Sequence, residues 1–403
     1  MDRVAAIVLA GSRGEEFGCL AEERTKAAFP VAGYYRIIDF TLSNLSHSGV
    51  RQVGIVIHYL PSSLLAHIGS GRSWDFDMAD RSLSFMTPFV GVSETRWFNG
   101  SADAIAKGID HLDLAAIDEI LILSGENIYQ MDYHDLVSDH RRAGAEVTVA
   151  CVRMPPELQH SRFGNVIATS DGRIEQYVEK PERPCSPNVS MGIYCFRREA
   201  LIDLLEAARP SGGAEFRLAA DILQPTMDRL NGHAWFFHDP WHYIVDPREY
   251  HQLHLQLARG ESAILGGPRQ VLTNFSDRDL GSRPPAYFSR DSRVKNSIVS
   301  PGCHIEGAVL NSVLSPGVRV GRDSLVSDSV VFHDVRIGKE CRIENVICDK
   351  DATFEKGCKV GGVIEPEPGL EEAPPLTIVP KGQVVGEGET IAAGTTLARL
   401  SLI

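Results

Sequence analysis

Val4 to Ala10 is an unbroken apolar run, and Gly11-Ser12-Arg13-Gly14 ends it. Such a run reads as a buried parallel strand. A glycine-rich turn after a strand lets backbone N–H groups approach a polyphosphate, and Arg13 and Lys26 supply positive charge nearby. Alone, the turn reads equally well as a plain tight turn, with Arg13 and Lys26 as solvated surface charges. Glu179-Lys180, just before Pro181, is a second charged pair. Without further context it is an exposed turn, and Ser190 is an ordinary strand hydroxyl.

These residues need elements to position them. A helix is expected around Ile37 to Ser48 and a strand at Val53 to Ile57. A helix capped by Ser101 is expected to run to Ala115. A strand follows at Glu119 to Leu123, a helix at Asp135 to Ala143 and a strand at Glu146 to Val152. This alternation implies βαβ units and an α/β domain with a mostly parallel sheet. Phe163 to Asp246 is richer in strands, and Asp171-Gly172 marks a turn between two of them. Ligands of open α/β sheets bind beyond the carboxyl ends of the strands, where Gly11 to Gly14 and Ser124 to Tyr129 both fall.

From about Val294 the texture changes. An aliphatic residue followed by glycine recurs in steps near six, as in Ile305-Glu306-Gly307, Val318-Arg319-Val320-Gly321, Val335-Arg336-Ile337-Gly338 and Lys359-Val360-Gly361. Such steps suit a triangular parallel β-helix, with one aliphatic residue per side pointing inward. An antiparallel sandwich with glycine turns is the alternative. The expected divisions are residues 1–250, a linker at 251–290, the β-helix at 291–365 and a C-terminal β extension at 366–403. Within the last, 366–375 is Pro/Glu-rich and reads as a flexible connector.

Bulk properties narrow the function. The 403 residues exceed one ordinary domain. A net charge of -13 without a basic block argues against nucleic-acid binding. No apolar stretch is long enough to span a bilayer, and the N-terminus shows no signal-peptide pattern, so no membrane partner and a cytoplasmic location are expected. None of the eight cysteines forms a CxxC pair, which favours buried free thiols.

Further segments carry a resemblance. Tyr35-Arg36-Ile37-Ile38-Asp39-Phe40, Leu42-Ser43-Asn44, Ser48-Gly49-Val50-Arg51, Gly100-Ser101-Ala102-Asp103-Ala104, Val178-Glu179-Lys180-Pro181 and Ser190-Met191-Gly192-Ile193-Tyr194 match, in order and spacing, those of ADP-glucose pyrophosphorylases. The chain resembles that family up to about Gly362. The resemblance implies a Rossmann-like nucleotidyltransferase domain followed by a left-handed parallel β-helix. It implies that ATP and glucose 1-phosphate form ADP-glucose, a glycogen precursor, and pyrophosphate, with Mg²⁺ bridging phosphates. Arg13 and Lys26 would be catalytic at the triphosphate, and Gly11, Ser12, Gly14, Trp97 and Gly100 would hold the nucleotide. Glu179, Lys180, Ser190 and Glu215 would hold the sugar phosphate, and Glu126 and Asp246 the metal. Arg36 would be a candidate contact for phosphorylated-metabolite effectors, or a buried structural arginine. A homotetramer, or a hetero-oligomer with an active paralogue, is implied as well.

The chain also departs from the family pattern. Glu16 stands where the loop Gly-Gly-x-Gly-Thr-Arg-Leu has its second arginine. Gly125-Glu126-Asn127 replaces Gly-Asp-His. Ile244-Val245-Asp246 replaces Trp-Arg-Asp, which removes an aromatic wall and a positive charge. Glu215-Phe216 replaces Asp-Phe, and Tyr34 replaces a lysine at the effector site. The Gln pair near the adenine is absent from Pro88-Phe89-Val90-Gly91. Three readings remain open: an active adenylyltransferase, a catalytically impaired regulatory or binding subunit, and a nucleotidyltransferase using UTP or dTTP. A hexapeptide acyltransferase would need a catalytic histidine, and His304 and His333 read more simply as loop residues.

Overall fold

The computed structural model describes residues 1–90, 95–210, 214–267, 269–276, 281–362 and 375–398. The connector expected at 366–375 lies almost wholly outside them, as does Gly91. The chain divides into two compact units: Met1–Ser12, Ile38–Pro61 and Ile68–His242 form one, and Arg13–Ile37, Ser62–His67 and Tyr243–Ile403 the other.

The first unit is built on a nine-stranded mixed sheet. Ser82–Met86, Gln52–Val56, Val4–Leu9 and Glu119–Ser124 lie side by side and parallel. The three inner strands are buried on both faces and are mostly apolar, as strands covered on both sides require, whereas the edge strand Ser82–Met86 is half-buried and carries Ser82 and Ser84. Asn188–Arg197 joins Glu119–Ser124 antiparallel and continues into antiparallel pairing with Val147–Arg153. Asn165–Ala168 and Ile174–Val178 form the expected hairpin around Gly172, whose φ of +89° suits glycine. Ile7, Ile120, Ile122, Val147, Val149 and Phe196 are fully buried in its core.

The helix expected from Ser101 to Ala115 is shorter. It ends at Gly108 and gives way to 3₁₀ turns at Ile109–His111 and Leu114–Ala116. Leu112 is extended, and the Asp113 carboxylate accepts from the Ala115 N–H, a local bond that competes with helix continuation. Nor is Ser101 the cap. Gly100 holds that position, and Ser101 Oγ accepts from the Leu218 N–H at 2.9 Å.

The second unit contains the left-handed β-helix expected from the repeats. Three parallel sheets, two of six strands and one of five, form its sides. Successive strands starting at Val313, Arg319, Leu325 and Val330 show steps of six, six and five. The shorter step falls at a corner where Asn311, Asp328 and Asn345 adopt positive φ. Ser312, Ser329 and Val346 follow them, and the backbone N–H of each donates to the Oγ of Ser297, Ser312 and Ser329 respectively, at 3.1–3.2 Å. Ile305, Val320, Ile337, Phe354 and Val385 stack along one interior side. Thr377–Val379, Val384–Val385 and Thr390–Ala392 add to the same three sheets, so the stretch after the connector continues the β-helix. Cys303, Cys341, Cys348 and Cys358 are buried free thiols within it, whereas Cys185 of the first unit is exposed.

Candidate active site

Gly11 lies where only glycine fits: a Cβ there would stand 2.7 Å from the His58 backbone nitrogen. Gly14 has φ +62°. The Ser12 N–H donates to Glu126 Oε1 at 3.1 Å, and Glu126 is buried. The turn's first exposed donor therefore already holds an anion, a carboxylate of the same unit.

In the second unit Lys26 is almost fully buried, an unusual place for an ammonium. Its Nζ lies 4.4 Å from the Tyr243 ring centroid and 3.9 Å from Glu16 Oε1. Arg13 is 67% exposed and lies 3.5 Å from the Glu15 carboxylate. Arg36 is buried, with Nη1 donating to the Ala28 carbonyl at 2.9 Å.

Asp246 caps the Pro247–Arg259 helix. Its Oδ1 accepts from the Arg248 and Glu249 N–H groups at 2.8 and 2.9 Å, and Glu249 Oε2 accepts from the Val245 N–H. Asp at the cap, Pro at the first position and Glu at the third are helix-start signals. Glu126 and Asp246 thus each commit one oxygen to backbone, and Glu126 Oε2 and Asp246 Oδ2 remain as hard donors of the kind a small divalent cation takes. The two belong to different units. Among the described residues no three His, Cys, Asp or Glu side chains converge as a metal group.

Glu179 and Ser190 do converge. Asn165 pairs with both Val178 and Val189, so the next residue of each strand flanks the same strand end. Tyr177 Oη donates to Glu179 Oε2 at 3.4 Å and lies 3.2 Å from Tyr194 Oη. Burial above all keeps both phenols protonated, pushing Tyr177 well up and Tyr194 to about 12. The Glu179 N–H donates to Gln224 Oε1. Lys180 is exposed, 3.6 Å from Glu179 Oε1, with φ +47°. A left-handed lysine is uncommon enough to mark the position. Glu215 is also exposed, 3.9 Å from Arg217.

Trp97 is 56% exposed, its ring 5.8 Å from that of His58, and Lys107 donates to its carbonyl. Gly100 has φ +107°, and a Cβ there would stand 2.4 Å from the Phe216 carbonyl oxygen.

Comparison with known proteins agrees with this layout. Residues 5–260 match the nucleotidyl transferase family, and residues 284–368 the GlmU-like C-terminal hexapeptide family. The glucose-1-phosphate adenylyltransferase of Thermotoga neapolitana is 35% identical over 329 residues, 81% of this chain and 77% of the relative. Enzymes of the same name from Pseudothermotoga lettingae and Desulfitobacterium hafniense strain Y51 are 36% and 33% identical, over 81% and 80% of this chain and 77% and 81% of theirs. The chain belongs to the glucose-1-phosphate adenylyltransferase family.

Within that family frame, the departures have physical partners here. Glu16 faces Lys26, Glu126 reaches Ser12, and Ile244 and Val245 are buried apolar residues. Some neighbours escape a reading of the sequence alone. Asn127, which follows Glu126, donates through Nδ2 to the Met191 carbonyl at 2.8 Å and so ties the Glu126 turn to the Ser190 strand. Phe163 and Trp241 form a ring pair 5.5 Å apart, and Gly164, next to Phe163, accepts from the Ser190 N–H. An aromatic pair therefore stands close to Ser190 although the family's tryptophan position holds Ile244. Tyr177 had a signal: it lies two residues before Glu179 on one strand, hence on the same face.

Proposed function

We propose that this chain transfers an adenylyl group from ATP to glucose 1-phosphate, giving ADP-glucose and pyrophosphate. The observation that carries the reading is the convergence of Glu179 and Ser190 on one strand end, with Tyr177 and Tyr194 behind them. Glu179 accepts sugar hydroxyls, and Lys180 and Ser190 take the phosphate, with Glu215 at the rim. A phosphate oxygen of glucose 1-phosphate attacks the α-phosphorus in line, and pyrophosphate leaves. Arg13 and Lys26 neutralise the triphosphate. Gly11, Ser12 and Gly14 bring backbone to it, and Trp97 and Gly100 bound the base. Glu126 and Asp246 would hold Mg²⁺, which supplies further charge neutralisation when bound.

Glycogen synthesis in the cytoplasm, a homotetramer and control by phosphorylated metabolites belong to the same proposal. Arg36 serves as an effector contact only if its bond to the Ala28 carbonyl is exchanged.

A second reading has its own observation. Glu16 beside Lys26 favours a subunit that binds sugar phosphate or a paralogous partner without turnover. Pyrophosphate release by the purified chain with ATP, Mg²⁺ and glucose 1-phosphate separates the two, and exchanging ATP for UTP or dTTP tests the base. Turnover with ATP supports the first reading. Background rates with every nucleotide, together with measurable glucose 1-phosphate binding, support the second.

A further inference from the structure

Lys26 lies in a segment, Arg13–Ile37, that groups with the β-helix. Two ion pairs fasten that segment there. Arg24 Nη2 donates to both oxygens of Asp349 at 2.8 and 2.9 Å, and the two side chains are only 4% and 1% exposed. The Arg24 guanidinium also lies 5.8 Å from the Phe332 ring centroid. Lys381 Nζ meets Glu23 Oε2 at 2.6 Å, each side chain 34% exposed. Asp349 is held in turn: its Oδ1 accepts from the Lys350 N–H, and its own N–H donates to the Val379 carbonyl of the next coil. Just after Arg24 the backbone closes a 3₁₀ turn, Lys26–Ala28. The Ala28 and Phe29 N–H groups donate to the Thr25 and Lys26 carbonyls at 3.0 Å.

A buried pair of this kind is a poor stabiliser. Desolvation offsets most of its attraction, and a well-packed apolar pair would serve stability as well. Arg24 Nη1 is also buried without a hydrogen-bond partner, which adds a desolvation penalty. What such a pair provides is a fixed geometry, because moving either partner leaves an uncompensated buried charge.

We propose that Asp349 is a positioning residue. Through Arg24 it fixes the backbone two residues before Lys26, and with it the placement of the Lys26 ammonium; Glu23–Lys381 is a second fastening of the same segment. The kinetic consequence rests on Lys26 being a triphosphate contact, as proposed above, whereas the structural consequence does not.

The test combines amide hydrogen exchange with steady-state kinetics on the full chain. In D349N, amides of residues 14–28 exchange about tenfold faster, while those of Val4–Leu9 and Glu119–Ser124 do not change. The KM for ATP rises about tenfold and that for glucose 1-phosphate stays put, since Glu179 and Ser190 lie in the other unit. D349E recovers part of both effects. Independently, E23K loosens the same amides and E23K/K381E restores them. If D349N loosens the whole β-helix, this swap decides. Unchanged exchange at 14–28 in D349N, or no restoration by the swap, overturns the proposal. A wild type without turnover removes the triphosphate reading of Lys26 and leaves exchange to decide the positioning.

Discussion

The Ser12 backbone N–H donates to the Glu126 carboxylate at 3.1 Å, across 114 residues of sequence. Glutamate is one methylene longer than the family's aspartate at this position. Here the carboxylate reaches the glycine-rich turn and takes the Ser12 N–H, a donor that the proposed reading assigns to a phosphate oxygen. The site is therefore partly satisfied by its own acidic residue.

Shortening that residue should release the donor. A hydrogen bond to a charged group contributes about 1.5–3 kcal/mol, so E126D should lower the KM for ATP by about tenfold. E126Q keeps an acceptor for Ser12 but loses the charge, and should lower kcat with little change in melting temperature. Steady-state kinetics with thermal melts separate the two effects, and an unchanged KM in E126D contradicts competition for the Ser12 N–H.

Glu16 and Lys26 form the second self-contained pair. Unit charges 3.9 Å apart attract by about 4 kcal/mol at an effective dielectric near 20, and Glu16's partial exposure reduces this to about half. E16Q should therefore strengthen ATP binding by about tenfold, and E16R further, as measured by calorimetric titration. Weaker binding in both variants would show that Glu16 serves the nucleotide.

Acid should destabilise the protein through buried histidines. His254 accepts from the Ala32 N–H through Nε2, and Nδ1 lies 2.7 Å from the Tyr250 carbonyl, an arrangement that suits a neutral ring. Burial lowers its pKa to about 4, and burial lowers that of His140 likewise to about 4, from 6.5. The unfolded chain then binds more protons between pH 6.5 and 4. Stability is full above this window, falls as pH drops through it and levels off below. Each histidine contributes on the order of 3 kcal/mol. Melting temperature should drop across the window in wild type and less steeply in H254Q. Equal slopes would exclude His254 as a source.

Gly100 offers a steric test. Alanine there meets φ +107° and a backbone oxygen at 2.4 Å, neither of which a side-chain rotation relieves. G100A should cost about 2 kcal/mol or more and lower the melting temperature by several degrees. A neutral result would mean the Gly100–Phe216 approach is looser than observed.

Much of the fold was legible because its signals are local. The central parallel strands are mostly apolar runs, and the in-phase Val-x-Val-Gly and Val-x-Ile-Gly steps announce a β-helix. The final coil hid behind a change of phase: Lys359 pairs with Thr390, whereas earlier partners such as Arg342 and Lys359 lie much closer in sequence. The site divides in the same way. Glu179 and Ser190 come together through one shared strand partner, a pattern a hairpin reading can approach. The bond from Ser12 to Glu126 depends on one methylene and on the pairing of the two strands that precede them, which spacing does not encode. Asp246 as a helix cap is readable from Asp-Pro-x-Glu, independently of the metal role that the resemblance implies.

Product formation by the purified chain tests the proposed adenylyl transfer most directly. With ATP, Mg²⁺ and glucose 1-phosphate, pyrophosphate and ADP-glucose should appear in equal amounts, and the rate should fall when UTP or dTTP replaces ATP. Background release with every nucleotide would contradict it.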